Sequence, residues 1–180
     1  ATQKRRIWIT APAHAPDADL AIRAHKTLLA HDPTALLIIA PRNLALALPT
    51  NLPRRSAGQL PTGPIWIADT LGEMGTLYRL ADTALIGGSF GDTQGHSPWE
   101  AACLGCAILH GPHTANFASD YDTLARKHAA IKVADAQDIA NALLGANRDA
   151  LTQNATALIT QARADLHPLA LSLLALKAPA

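Results

Sequence analysis

Apolar residues fall along the chain in two rhythms that take turns. Ile7-Trp8-Ile9-Thr10, Ala35 to Ala40, Ile65-Trp66-Ile67-Ala68, Ala84 to Ile86, Ala107 to Leu109 and Ala130 to Val133 are short, mostly apolar runs that predict strands. Ala35 to Ala40 shows no alternation at all, as for a strand covered on both faces. Between them the spacing lengthens. Ala21, Ala24 and Leu28 recur on one helical face, predicting a helix capped by Asp17 or Asp19 and ending near Ala30, with Pro12 to Pro16 as the loop before it and Pro33 in the turn after it. Met74, Leu77, Tyr78 and Ala81 line a second helical face, and Thr70 with Glu73 has the spacing of a capping box at its start. Residues 43–63 are rich in proline and polar groups and predict a short helix and a mobile loop. Amphipathic helices are predicted after Asp135 and over Leu151 to Ala164; the tail from His167 to Leu176 is apolar almost all round, the mark of a segment that needs a partner surface. Strands alternating with helices argue for an α/β, Rossmann-like, doubly wound parallel sheet of about six strands, with ligands outside the carboxyl ends of the strands.

One stretch, Leu85 to Phe117, carries the candidate chemistry. A strand ends in Gly87-Gly88 and passes into a glycine-rich polar loop, where backbone and ligand can approach closely. Ser97-Pro98-Trp99-Glu100 then reads as a helix start, with Ser97 as N-cap, Pro98 in the first position and Glu100 closing a capping box. The free N–H groups of that helix start would favour a phosphate or carboxylate. Gly105 stops the helix, and Gly111-Pro112-His113 turns out of the strand that follows.

The 180 residues suit one domain with a substantial core. Apolar residues make up 49% but aromatic ones only 4%, so closely packed, alanine-lined helices are expected rather than a bulky core. A net charge of +1 without a basic stripe gives no case for nucleic acid. Lys4-Arg5-Arg6 reads as a solvated end of the chain rather than a membrane patch. No run approaches the roughly 18 to 20 apolar residues of a membrane span, and no signal-peptide core precedes the first strand. A soluble piece of a longer protein is therefore expected, since the chain starts at Ala1 and enters a strand at once. Cys103 and Cys106 have C-x-x-C spacing, but there is no second pair and they fall at a helix end and a strand start, which argues against redox or zinc chemistry. His96, His110 and His113 lack carboxylate or cysteine company at ligand spacing, so no metal is expected.

The strand-GGS-loop-GH-x-P-x-E-A-A-x-L-G pattern, followed by GPHT-x-NF, resembles the C-terminal half of the lipid A Kdo transferases, the 3-deoxy-D-manno-octulosonic-acid transferases. Pro41-Arg42, Asp69-Thr70-Leu71-Gly72-Glu73, Leu77-Tyr78 and Ala81-Asp82 extend the likeness over most of residues 7–145. The resemblance implies the C-terminal half of a GT-B fold, so that residues 1–180 form a nucleotide-sugar-binding domain whose N-terminal acceptor domain lies outside this chain. It implies an inverting glycosyltransferase of lipopolysaccharide core biosynthesis at the cytoplasmic face of the bacterial inner membrane. The implied donor is CMP-Kdo and the implied acceptor a lipid A precursor, reached through the N-terminal domain; no cofactor is implied.

By the same resemblance, Pro41, Arg42, Leu71, Gly72, Glu73, Ser97, Pro98, Trp99 and Glu100 would bind the nucleotide. Glu100 would accept hydrogen bonds from the ribose hydroxyls and Arg42 would meet phosphate or base. Gly88, Ser89, Gly95, His96 and His113 would contact donor sugar or phosphate, although both histidines could equally hold their turns. The catalytic base would be a glutamate of the N-terminal domain, so no catalytic residue is expected here and the isolated chain is expected to be inactive. Departures from the family pattern are Ala15 and Pro16 after His14, Asn43 and Leu44 after Arg42, Leu71 for methionine and Ser97 for asparagine. A transferase or epimerase using a UDP-sugar, and a non-catalytic binding module that kept the fold, are the alternatives.

Overall fold

The computed structural model describes residues 5–176. Six strands, β1 (Ile7–Ala13), β2 (Leu36–Pro41), β3 (Ile65–Ile67), β4 (Thr83–Ile86), β5 (Ala107–His110) and β6 (Ala130–Lys132), form one all-parallel sheet in the order β3-β2-β1-β4-β5-β6. Successive residues of each strand enter opposite layers. Trp8, Leu37, Ile39, Leu85 and Leu109 pack on one side against α1 (Ala15–Leu29) and α5 (Ala136–Gly145). Ile9, Ile38, Trp66, Ile86 and Ile108 pack on the other against α2 (Met74–Leu80), α3 (Trp99–Cys103), α4 (Ala118–Arg126) and the start of α6 (Arg148–Leu176). This is the expected doubly wound α/β fold, and α1 meets the sheet through the small side chains Ala18, Ala21 and Ala24. Strand order reverses between β1 and β4, which opens a crevice at their carboxyl ends.

Several boundaries differ from the expectation. Pro12 lies inside β1, and α1 starts at Ala15 with His14 as its N-cap. Pro16 belongs to the first helical turn, where its missing N–H costs nothing, and Asp17 accepts the His14 N–H at 2.8 Å from inside the helix instead of capping it from outside. Residues 43–63 contain no helix. They run beside β3, where Ile67 exchanges backbone hydrogen bonds with Pro53 and Arg55, so the sheet edge is covered. Leu151 to Leu176 is one helix that passes through Pro168. Beyond Leu158 and Ile159, which still pack against the core, the helix leaves it, and Leu166, Leu169, Leu171, Leu173 and Leu174 are exposed. No helix among the described residues is long and apolar enough to cross a membrane.

The basic run is not a solvated end. Arg5 donates to the carbonyls of Thr34, Pro61 and Gly63 at 2.6 to 3.1 Å, and Arg6 donates to Leu143 O at 2.6 Å and faces Asp32 at 3.4 Å. Lys4 lies outside the described residues.

A second buried link holds β1 to the β2–β3 connection. The Trp8 indole N–H donates to His25 Nδ1 at 3.0 Å, so the Nε2 proton faces Pro64 O at 2.8 Å and the ring is neutral. Burial lowers the His25 pKa from 6.5 to about 4, against the opposing bond to Pro64. The unfolded chain therefore binds the extra proton more readily, and stability is fully present above pH 6.5 and is lost as pH falls towards 4. The expected slope from this one group is at most about 1.4 kcal/mol per pH unit. Urea midpoints of wild type and His25→Leu measured at several pH values check it; parallel pH profiles would remove His25 as the cause.

Candidate functional site

A cavity of about 400 Å³ opens at the carboxyl ends of the strands. Its walls come from β1 (Pro12), the end of β2 (Ala40, Pro41, Arg42), the turn after β3 (Ala68, Thr70, Leu71, Gly72), α2 (Met74, Leu77, Tyr78) and the loop into α3 (His96, Ser97, Glu100). Parallel strands point one end of every crossover here, which is why residues distant in sequence converge. A larger hollow, about 950 Å³, lies at the opposite ends of the strands, but its Arg6 and Arg148 are engaged with its own Asp32 and Asp82 at 3.4 and 3.6 Å.

Of the expected nucleotide contacts, Pro41, Arg42, Leu71, Gly72, Ser97 and Glu100 line the cavity; Glu73, Pro98 and Trp99 do not. The Glu73 carboxylate is taken by the Arg55 guanidinium at 2.8 to 3.2 Å and by the Thr70 hydroxyl, and these bonds hold its pKa below the usual carboxylate range. Asp69 does the same for the neighbouring segment, accepting from Ser56 N at 2.9 Å, Ser56 Oγ at 2.8 Å and Arg54 Nη1 at 3.2 Å. Thr70 to Gly72 are thereby fastened to residues 54–56, and Gly72 turns the chain with φ 81°. Trp99 donates its indole N–H to Asp120 at 2.8 Å, and Pro98 is buried.

The capping box expected at α3 does not form. Pro98 is the N-cap, Ser97 Oγ reaches Trp99 N at 3.4 Å, and the exposed Glu100 carboxylate accepts no hydrogen bond from the described residues. The helix spans five residues and α2 seven, too few turns to build much of a macrodipole. Positive charge at the cavity comes instead from Arg42, whose exposed guanidinium forms no ion pair or hydrogen bond among the described residues while its N–H donates to Ala13 O at 2.9 Å. One unspent cation and one unspent carboxylate thus share a cavity with apolar walls.

Of the expected sugar or phosphate contacts, only His96 lines the cavity. Ser89 is buried, donating to Ile86 O at 2.7 Å and accepting Gly111 N–H at 2.8 Å, which ties the ends of β4 and β5 together. Gly88 N–H donates to buried Asp17 at 2.7 Å, and Gly88 O accepts Gly95 N–H at 2.8 Å. His113 is exposed with Nδ1 3.1 Å from Gly91 O. His96 instead meets His14 across the crevice, Nε2 to Nε2 at 2.8 Å with the rings nearly parallel. Burial, then His14, then Arg42 hold the His96 pKa below the usual histidine range, with Asp17 opposing.

Cys103 is exposed and Cys106 buried; the Cys106 thiol donates to Tyr78 O at 3.1 Å and burial pushes its pKa up to about 12. Among the described residues no three His, Cys, Asp or Glu side chains gather as a metal site.

No family model matches the chain. It is 29% identical over 147 residues to a 3-deoxy-D-manno-octulosonic acid transferase of Haemophilus influenzae, covering 76% of this chain and 34% of that one. With the corresponding transferase of Bordetella pertussis the identity is 39% over 112 residues, 58% of this chain and 26% of that one. The chain spans about a third or less of the length of these curated relatives. Among solved structures, the C-terminal CMP-Kdo binding domain of WaaA from Acinetobacter baumannii superposes with a TM-score of 0.78 at 25% identity, covering 87% of this chain and 90% of that one. The C-terminal domain of the group 1 glycosyl transferase LpcC from Francisella tularensis shares the fold, with a TM-score of 0.59 at 18% identity over 88% of this chain and 85% of that one. The chain is thus similar in sequence, over most of its length, to 3-deoxy-D-manno-octulosonic acid transferases and in fold, over nearly all of it, to the C-terminal CMP-Kdo binding domain of WaaA.

Proposed function

We propose that this chain is the donor-binding domain of an inverting GT-B glycosyltransferase that moves Kdo from CMP-Kdo to a lipid A precursor, in an enzyme whose acceptor domain lies outside the chain. The observation that carries this is the pairing of unspent Glu100 with unspent Arg42 in the crevice cavity. A ribose offers two vicinal hydroxyl donors, and a carboxylate with no other hydrogen-bond partner accepts both. Arg42 matches the nucleotide phosphate through charge-assisted bonds. Leu71, Ala68 and Pro41 supply the apolar wall against which a base can lie. When the acceptor hydroxyl attacks the anomeric carbon, the C–O bond to phosphate breaks and CMP leaves; Arg42 is placed to stabilise the negative charge that gathers on it. The residue that takes the acceptor proton belongs to the other domain, as does contact with the cytoplasmic face of the inner membrane. The isolated chain therefore binds donor without transferring sugar. The relatives' names support this reading.

The test is calorimetry and thermal shift with CMP, UMP and UDP. CMP is expected to bind and raise the melting temperature more than the uridine nucleotides. Glu100→Gln is expected to weaken CMP by roughly 10- to 100-fold, the worth of a charge-assisted bond at about 1.5–3 kcal/mol. A preference for UDP would redirect the proposal to a UDP-sugar enzyme, and unchanged CMP affinity in the variant would remove Glu100 from the site.

A further inference from the structure

We propose that His14 and His96 form a proton-gated anion subsite that receives an acidic group of the donor, either its phosphate or the carboxylate of its sugar acid. The inference rests on the nucleotide-donor reading above and adds to it a charge that is not fixed but taken up on binding.

The geometry is specific. Two imidazole Nε2 atoms lie 2.8 Å apart, a distance that requires one proton between them, with one ring donating and the other accepting. A second proton converts both atoms to donors, breaks the mutual bond and leaves two adjacent N–H groups, the His96 one at the cavity wall, each seeking an acceptor. An anionic oxygen is the acceptor that such a pair fits. His96 reaches this position because its ring lies over Gly88, where a side chain would collide: a Cβ there would sit 3.1 Å from His96 Cδ2. Beneath that glycine lies Asp17, fully buried, with Oδ2 spent on the N–H groups of His14 and Gly88 and Oδ1 without a hydrogen-bond partner. A buried carboxylate left with an empty acceptor is costly unless positive charge gathers near it.

The other groups around the pair set the threshold. Arg42 from the end of β2 opposes protonation of His96, as do burial and His14, while Asp17 of α1 favours it. Glu100 of α3 and Tyr78 of α2 line the same cavity, Tyr121 of α4 donates its hydroxyl to His96 O at 2.8 Å, and Asp92 on the same loop is exposed. Empty, His96 is biased towards its neutral form. An anion arriving in front of it, with Asp17 behind, reverses the balance, so proton and ligand bind together.

The experiment follows the imidazole nitrogens of the ¹⁵N-labelled full chain by NMR from about pH 5 to 8. Titrations are run for the free protein and with CMP, cytidine, inorganic phosphate, or the free 3-deoxy-octulosonic acid. CMP is expected to raise the apparent pKa of the pair by about one unit or more, cytidine to leave it unmoved, and inorganic phosphate to act like CMP more weakly. If the free sugar acid moves it and CMP does not, the subsite takes the carboxylate and the inference stands. His14→Gln, which cannot be protonated, is expected to abolish the excess proton uptake that accompanies CMP binding in calorimetry across buffers of different ionisation enthalpy. Binding of CMP and of the sugar acid with the pair unmoved would overturn the inference alone. Failure of every nucleotide and of the sugar acid to bind would overturn it together with the donor-binding reading.

Discussion

Gly87→Ala is expected to destabilise the fold by at least about 3 kcal/mol, a large share of the roughly 5–15 kcal/mol that holds a domain together. Gly87 follows β4, and its N–H donates to Ala11 O at 3.2 Å. A Cβ there would lie 1.8 Å from the carbonyl oxygen of Pro12 and 2.7 Å from its carbon. Both partners are backbone, so no rotamer change relieves the overlap, and the end of β4 must move away from β1. That junction is the floor of the crevice, and whatever protein still folds is expected to lose CMP affinity as well. Urea unfolding of Gly87→Ala beside Gly63→Ala checks it, because nothing lies within 4 Å of a Cβ at Gly63. Equal midpoints for the two variants would show that the strand ends are not packed as tightly as described.

Arg42→Ala is expected to weaken CMP by about tenfold or more while changing cytidine severalfold less. The prediction follows from an exposed guanidinium, unpaired among the described residues, in the cavity that Glu100 also lines, where a phosphate would be its natural partner. Raising salt should shrink the difference, since the charge is open to solvent. Calorimetry with both ligands at two salt concentrations measures it. Equal losses for CMP and cytidine would assign Arg42 to the base or to packing.

The strands and the double winding were legible because the five strands from β1 to β5 are largely buried and write short, mostly apolar runs, while β6, at the edge and carrying Lys132, is betrayed mainly by its place in the alternation. The start of α1 was not, since Pro12 and Pro16 read as loop residues while one sits in β1 and the other in the first helical turn. Arg42, Gly72, Ser97 and Glu100 could be gathered beside one cavity from sequence because each belongs to a short local motif after a strand. Glu73 was placed in the site by the same logic, yet its carboxylate turns to Arg55, 18 positions away in a segment with no periodicity to betray the contact. His14 and His96 are 82 positions apart. Their meeting depends on β1 lying beside β4, which is a property of strand order and not of any local pattern.

The two sides of the cavity differ in stiffness. On the β1–β4–β5 side, buried bonds from Gly88 to Asp17 and Gly111 to Ser89 are out of reach of solvent screening, and a part-buried bond from Tyr121 to His96 adds to them. On the β3 side, Thr70 to Gly72 are fastened by Arg54–Asp69, which is part-buried, and by Arg55–Glu73, a partly exposed ion pair of the kind that contributes about 0–1 kcal/mol. One wall behaves as an anvil and the other as a spring. A nucleotide of imperfect shape is expected to displace Thr70, Leu71 and Gly72, while the face that carries His14 and His96 keeps its form.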